Sequence, residues 1–253
     1  MLLWNTAQKK VVQKTMRLRR KPWAIPEMEE SPYCCLDAEE REGSWSSWFD
    51  RPDQPLYLEL GCGKGRFLYE IADAHPDINF LGIDLETNAM ISAKRGIEER
   101  KLGNARLLRH DINRIDGLFP GESISGLFIN FCNPWPKKKH HKRRLTHPRQ
   151  LLQYQRFLKE KGKLYFKTDD EELYQASLAY LPPFGFPILK STDHLAAEDD
   201  PFGIISEYEE RWRSQGIPIK SILAERRAVP EAELKERLER FTIAEKKKRN
   251  HQG

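Results

Sequence analysis

A chain of 253 residues, 39% hydrophobic and 32% charged, holds enough apolar material for one sizeable α/β domain and too little for two. Its net charge of +5 is mild, but the cations gather at 9–21, 137–144 and 246–249, which favours an anionic partner, nucleic acid first. No apolar run reaches the ~18 residues of a membrane span, no secretory core follows the basic N-terminus, and Cys34, Cys35, Cys62 and Cys132 form neither a C-x-x-C pair nor a zinc-spaced set, so a reducing, cytoplasmic compartment is expected.

In chain order, residues 1–22 are polar and basic and read as an arm that is either disordered or laid on phosphates. Residues 23–54 carry no clear period and read as an irregular extension, its Trp23, Trp45 and Trp48 packed against the domain. Strands and helices then alternate. Leu56 to Leu60 is a strand, Gly61–Gly65 (GCGKG) a turn, and Arg66 to Ala74 a helix with Phe67, Leu68 and Ile71 on one face. Strand, helix and strand follow at Asn79–Ile83, Ala89–Lys101 and Ala105–Arg109. Ser123 to Phe131 is a further strand, and Pro148 to Leu158 a helix with proline in its first turn. Strand Gly162–Lys167, helix Glu171–Ala179 with Asp169 or Asp170 as cap, and strand Ile217–Ala224 complete the series. This order implies parallel βαβ units in a doubly wound, Rossmann-like sheet. In the tail, Leu234, Leu238 and Phe241 recur at helical spacing before the chain is expected to dissolve into its basic end. The expected division is an arm and extension over 1–54, a domain over 55–229 and a helical tail over 230–253.

Two stretches carry chemistry. Gly61 and Gly63 follow the first domain strand, where glycines let the backbone turn and approach a ligand. The spacing is G-x-G-x-G, and Glu59 precedes it. A pyrophosphate needs such a helix N-terminus free of negative charge, so Glu59 disfavours a nicotinamide or flavin dinucleotide. It suits S-adenosylmethionine, which carries a sulfonium and an ammonium. Asp84 ends the second of these strands, placed for ribose hydroxyls, and Asp111 follows the third, placed for an adenine amino group. Their competing role is to cap turns.

The second stretch is Phe128 to Leu145, FINFCNPWPKKKHHKRRL. An apolar strand runs into Asn133-Pro134-Trp135-Pro136, which the prolines keep out of helix. Eight cationic or ionisable residues follow, Lys137 to Arg144. A strand ending in a rigid aromatic turn and a dense positive patch suggests a polyanion at the C-terminal edge of the sheet, where open α/β sheets bind ligands. A solvated basic loop is the competing reading. Trp135 is either a platform for a stacked base or a brace for the turn.

Together with LYFKTDD and SEYEERW, these stretches resemble the bacterial tRNA (guanine-N7)-methyltransferases across about residues 16–225, most of the chain. The resemblance implies a seven-stranded class I methyltransferase fold. It also implies transfer of a methyl from S-adenosylmethionine, without a metal, to N7 of a guanine in the tRNA variable loop. It places Glu59, Gly61, Gly63, Asp84, Asp111 and Asn133 at the cofactor. It gives Lys137, Asp169, Ser206, Glu207, Tyr208 and Glu209 to the target nucleotide, with Asn133 and Asp169 at the reaction. The implied partner is tRNA, with no membrane, no obligate protein partner and a monomer or homodimer. Family members often begin near a stretch like Met16–Trp23, which makes Met16 a candidate start. The family usually has Asp-Pro-Trp where this chain has Asn133-Pro134-Trp135. Guanine N7 has a free lone pair, so no general base is needed there and an active enzyme is expected. Asn133 is read as a carbonyl acceptor for guanine N–H groups, with Asp169 and Glu209 supplying the carboxylates. A catalytically silent tRNA binder, and a methyltransferase acting on another RNA, are the alternatives.

Overall fold

Short, nearly continuous apolar runs build the inner strands, because successive side chains fall on opposite faces and both faces are buried. The structure, a computed structural model, describes residues 21–41, 43 and 45–250, without the side chains of 248–250. The arm at 1–20, with Met16, lies outside the described residues. The elements, in chain order, are α1 (Ala24–Glu29), β1 (Cys34–Cys35), β2 (Leu56–Leu60), α2 (Arg66–Ala74), β3 (Asn79–Asp84), α3 (Thr87–Arg100) and β4 (Ala105–Arg109). There follow β5 (Ile124–Asn130), α4 (Pro148–Phe157), β6 (Leu158–Thr168), α5 (Glu171–Tyr180), β7 (Ile188–Thr192), α6 (Glu207–Ser214), β8 (Lys220–Glu225) and α7 (Glu231–Asn250).

The sheet order is β1-β4-β3-β2-β5-β6-β8-β7. Neighbours are parallel except that β8 runs antiparallel to both β6 and β7. The chain winds one way from β2 through β3 to β4 and the other way from β5, so the order reverses between β2 and β5. In a doubly wound sheet that reversal leaves a crevice at the C-terminal strand ends.

The two faces bury separate cores. Leu56, Leu58 and Leu60 of β2 and Leu127 and Ile129 of β5 face α4, α5 and α7. Phe80 of β3 and Phe128 of β5 face α2 and α3. A Cβ on Gly65 would come within 2.2 Å of the Ala93 Cβ, so this glycine is what lets the start of α2 close onto α3.

Several expectations change. The sheet has eight strands, because Cys34–Cys35 within the stretch read as irregular pairs with β4 at the edge. Trp45 and Trp48 are buried, their Nε1 groups donating to Leu118 O and Pro32 O. Trp23 is not packed inside: it stays 44% exposed, with the Arg95 guanidinium over its ring. The tail does not dissolve into its basic end, since α7 continues to Asn250. Helix α4 passes into β6 at Leu158 without a loop.

Candidate active site

Glu59 and Asn130 lie on one face of adjacent strands. Glu59 is in register with Phe128, so Asn130 is its diagonal neighbour, and Asn130 in turn is in register with Lys167 of β6. Three polar side chains thus form a row across the C-terminal ends of β2, β5 and β6, on the face otherwise occupied by Tyr57, Phe128 and Tyr165. Asn130 Nδ2 donates to Glu59 Oε1 at 3.3 Å. Glu59 Oε2 and Asn130 Oδ1 are both buried without a hydrogen-bond partner. Burial disfavours the charged form and pushes the Glu59 carboxyl up to about 8; Asn130 opposes this and the nearby Asp84 adds to it.

The glycine loop leaves β2 with left-handed backbone at Gly61, Gly63 and Gly65, φ 85°, 53° and 76°. Gly61 N donates to Ile83 O at 2.8 Å and Gly63 N to Asp84 Oδ2 at 2.9 Å, which ties the loop to the end of β3. Asp84 also accepts from the backbone amides of Leu85 and Glu86. Asp111 caps a short 3₁₀ turn, accepting from Asn113 N and Nδ2. Burial works against its charge, but those bonds hold its carboxyl below the ordinary value. Both acids therefore make local turns while standing at successive strand ends beside the crevice.

The aromatic turn is held in an unusual shape. Phe131 and Trp135 have φ of 50° and 46°, a region that bulky residues rarely adopt. Phe131 N donates to Lys167 O at 2.9 Å. Arg144 is fully buried, its Nε donating to Pro134 O at 2.7 Å and its Nη2 to Glu172 at 2.8 Å. The Trp135 ring contacts the His140 ring, with centroids 5.7 Å apart, and has the Arg143 guanidinium over it at 5.0 Å. These contacts brace the turn around Trp135, which is partly buried. Within the basic run Arg144 is structural, while Lys137, Lys138, Lys139, Lys142 and Arg143 are exposed.

Asn133 is exposed, and its Oδ1 accepts from Trp135 N at 2.9 Å. One lone pair of the carbonyl expected to receive guanine N–H groups is therefore taken by an Asx turn, which an Asn two residues before an amide closes. Asp169 follows β6, half-buried, with its carboxyl raised by burial and by Asp170.

The SEYE stretch is the start of α6. Ser206 Oγ accepts from Glu209 N as the helix cap. Glu209 is fully buried, with Lys167 Nζ at 2.7 Å on one oxygen and Arg213 Nη2 at 2.7 Å on the other. Lys167 also reaches Asp200 Oδ2 at 2.8 Å. Glu209 is thus committed to an internal ion-pair network and does not stand free for a substrate. Glu207 and Glu210 pair with Lys64 and Arg66, at 2.8 and 2.6 Å, joining α6 to the glycine loop. Tyr208 is 57% exposed beside them. Sequence reasoning missed Asn130 and Lys167; the signal for each was a polar residue at the end of an apolar strand.

A cavity of about 100 Å³ is lined by Phe67, Phe128, Tyr165 and residues 199–202, and touches Asn130 and Lys167. No described helix is long and apolar enough to cross a membrane.

Comparison with known proteins bears on this geometry. A family model described as "Putative methyltransferase" matches residues 53–222, more than half of the chain. The tRNA (guanine-N(7)-)-methyltransferase of Clostridium perfringens is 42% identical over 218 residues, covering 83% of this chain and all of that protein. The protein of the same name from Clostridium beijerinckii is 45% identical over 216 residues, covering 83% of this chain and 98% of its own length. Among solved structures, the 16S rRNA (adenine(1408)-N(1))-methyltransferase from Catenulisporales acidiphilia superposes with a TM-score of 0.53 over 78% of this chain and 95% of its own. At 16% identity that likeness speaks for the fold alone.

Proposed function

The chain belongs to the family of the tRNA (guanine-N(7)-)-methyltransferases, and from that premise we infer that it transfers the methyl group of S-adenosylmethionine to N7 of a guanine in tRNA. The target is proposed to lie in the variable loop. The observation that carries the cofactor assignment is the pair of buried, unpartnered oxygens, Glu59 Oε2 and Asn130 Oδ1, beside the glycine loop. Buried polar groups are rarely left unmade, and acceptors next to a carboxylate fit a ligand that brings cationic and N–H donors. When bound, S-adenosylmethionine supplies an electrophilic methyl on a sulfonium, and N7 takes that methyl with its own lone pair as the carbon–sulfur bond breaks.

The residues have the remaining tasks. Glu59 and Asn130 hold the charged end of the cofactor, Gly61 and Gly63 let it lie against the backbone, and Asp84 and Asp111 accept from its ribose and adenine. No group on the protein has to remove a proton from N7. Asp169 accepts from the guanine N1–H and 2-amino group, a role Glu209 cannot share while it is fully buried in its ion pairs with Lys167 and Arg213. Lys137 and the exposed cations after it bind phosphates, which makes association salt-dependent. The base is drawn out of its tertiary contacts to reach the crevice. Proper alignment then provides most of the acceleration.

Labelled methyl transfer to tRNA lacking N7-methylguanine, followed by nucleoside analysis, tests this. Label in N7-methylguanosine from the variable loop is expected. Absence of label while cofactor and tRNA both still bind would overturn it.

A further inference from the structure

The Asn133 side chain carries an unpartnered donor at the end of the Asx turn. Its Oδ1 accepts from Trp135 N at 2.9 Å, and its Nδ2 has no protein partner among the described residues. The amide is not free to turn over without losing that bond. Its surroundings are also fixed: Phe131 N is bonded to Lys167 O, the Trp135 ring contacts His140 and Arg143, and Arg144 holds Pro134 O. The side chain is exposed at the end of β5, beside the end of β6 that carries Asp169.

We infer that Asn133 selects guanine by donating from Nδ2 to O6 of the target base. This rests on the reading that N7 of guanine is the methyl acceptor. The edge of guanine that carries N7 carries O6 beside it, and both are acceptors. A base that presents N7 to a methyl donor therefore presents O6 to whatever lies next to it. An amide N–H₂ complements that oxygen. Adenine places its own N–H₂ there and meets donor with donor. An aspartate at this position would keep one oxygen for Trp135 N and offer O6 only a second acceptor. An Asn at 133 thus closes the turn and presents a donor to the base, which an Asp could not do.

The contact helps binding more than chemistry. As N7 gains the methyl the ring becomes cationic, and O6 becomes a poorer acceptor. A hydrogen bond that does not strengthen in the transition state appears in KM, not in kcat.

The test compares tRNA carrying guanosine, inosine or 2-aminopurine riboside at the target position. Inosine keeps O6 and N1–H and lacks the 2-amino group; 2-aminopurine lacks O6 and also the N1–H, the latter a loss common to all three proteins. Replacing guanosine by 2-aminopurine is expected to cost the native enzyme about tenfold more in kcat/KM than it costs Asn133→Ala or Asn133→Asp, mostly through KM. Inosine should discriminate among the three proteins by less than about twofold on the same basis. Asn133→Asp keeps the acceptor for Trp135 N, so its result does not depend on a collapsed turn. An equal loss on removing O6 in all three proteins would overturn the inference. Failure of the native enzyme to methylate the guanosine tRNA would instead overturn the reading on which it rests.

Discussion

Glu59 and Asn130 meet across the reversal point of the sheet at 3.3 Å, and each keeps one buried oxygen without a partner. The bond follows from register: residues two positions apart on parallel neighbours share a face, and both come at the end of apolar strands. A carboxyl desolvated in this way is poised between its two protonation states near neutrality.

Cofactor binding should therefore be coupled to a proton. The Glu59 carboxyl is raised from 4.5 to about 8 by burial. The folded protein holds this proton more tightly than the unfolded chain, so stability of the free protein falls as pH rises from 4.5 towards 8. A cationic ligand favours the carboxylate, so affinity should rise with pH between about 6 and 8. Titration calorimetry in buffers of different ionisation heat should detect release of a fraction of a proton near pH 7. Glu59→Gln should abolish that release, weaken binding about 10- to 100-fold at pH 8 and leave the free protein more stable at that pH. A proton count of zero in the native enzyme would contradict this.

The basic run divides into cations for RNA and a cation for the fold. Lys137→Ala, Lys139→Ala and Lys142→Ala should each weaken tRNA binding and reduce the slope of log K against log salt by about 0.7–0.9, with unchanged melting. Arg144→Ala should destabilise by about 2–3 kcal/mol, because Pro134 O loses its donor and the buried stem leaves a gap. Salt-dependent filter binding and thermal melting separate the two groups. Arg144→Ala with normal melting would show that the turn holds without it.

The features that position the site were readable where a period or a short motif carried them. Short apolar runs between turn signals exposed β2 to β5, and the glycine spacing with acids at three strand ends pointed to the edge of the sheet where the strand order reverses. Cys34–Cys35 was not readable as a strand, since two residues carry no period. Helix α6 has only Trp212 as a buried apolar residue, so it shows no stripe. Arg144 looks like its seven neighbours in sequence and differs only in being covered. The Asx turn at Asn133 was legible, since Asn before Pro is a turn signal. What sequence could not give was that closing the turn fixes the amide with Nδ2 left without a protein partner among the described residues. The pairing of Lys167 with Glu209, 42 residues away, depends on where β6 delivers its last side chains.

Lys167 joins α6 and the segment before it to the sheet. Its ammonium is buried between Asp200 and Glu209, at 2.8 and 2.7 Å, and also donates to Ile204 O at 3.3 Å. Lys167→Met would leave two buried carboxylates with Arg213 as the remaining cation on Glu209. A cost of about 3–5 kcal/mol is expected. Adding Glu209→Gln should recover part of it, because one uncompensated charge is removed. Hydrogen exchange should show faster opening of α6 in the single variant. Melting unchanged from the native protein would rule out a structural role for this network.

Acid should release the C-terminal helix through His147. This side chain is 2% exposed; its Nδ1 accepts from Arg149 N, and its ring packs edge-on against Phe241 of α7 and Tyr180. Burial first, and then the charges of Arg149, His141 and Arg144, lower its pKa from 6.5 to about 4. The unfolded chain therefore binds the proton more readily. The stability from neutral His147 is fully present above pH 6.5 and is lost as pH falls towards 4, amounting to no more than about 3 kcal/mol. Glu245, 3.9 Å from Nε2, opposes the loss by offering the imidazolium a partner. Melting measured from pH 8 to pH 4 should fall most steeply below 6.5, with α7 the first element to lose exchange protection. His147→Asn keeps an acceptor for Arg149 N and has no titrating ring, so its melting should lie lower at pH 8 but vary less over the same interval. An undiminished pH dependence in that variant would assign the acid sensitivity to other groups.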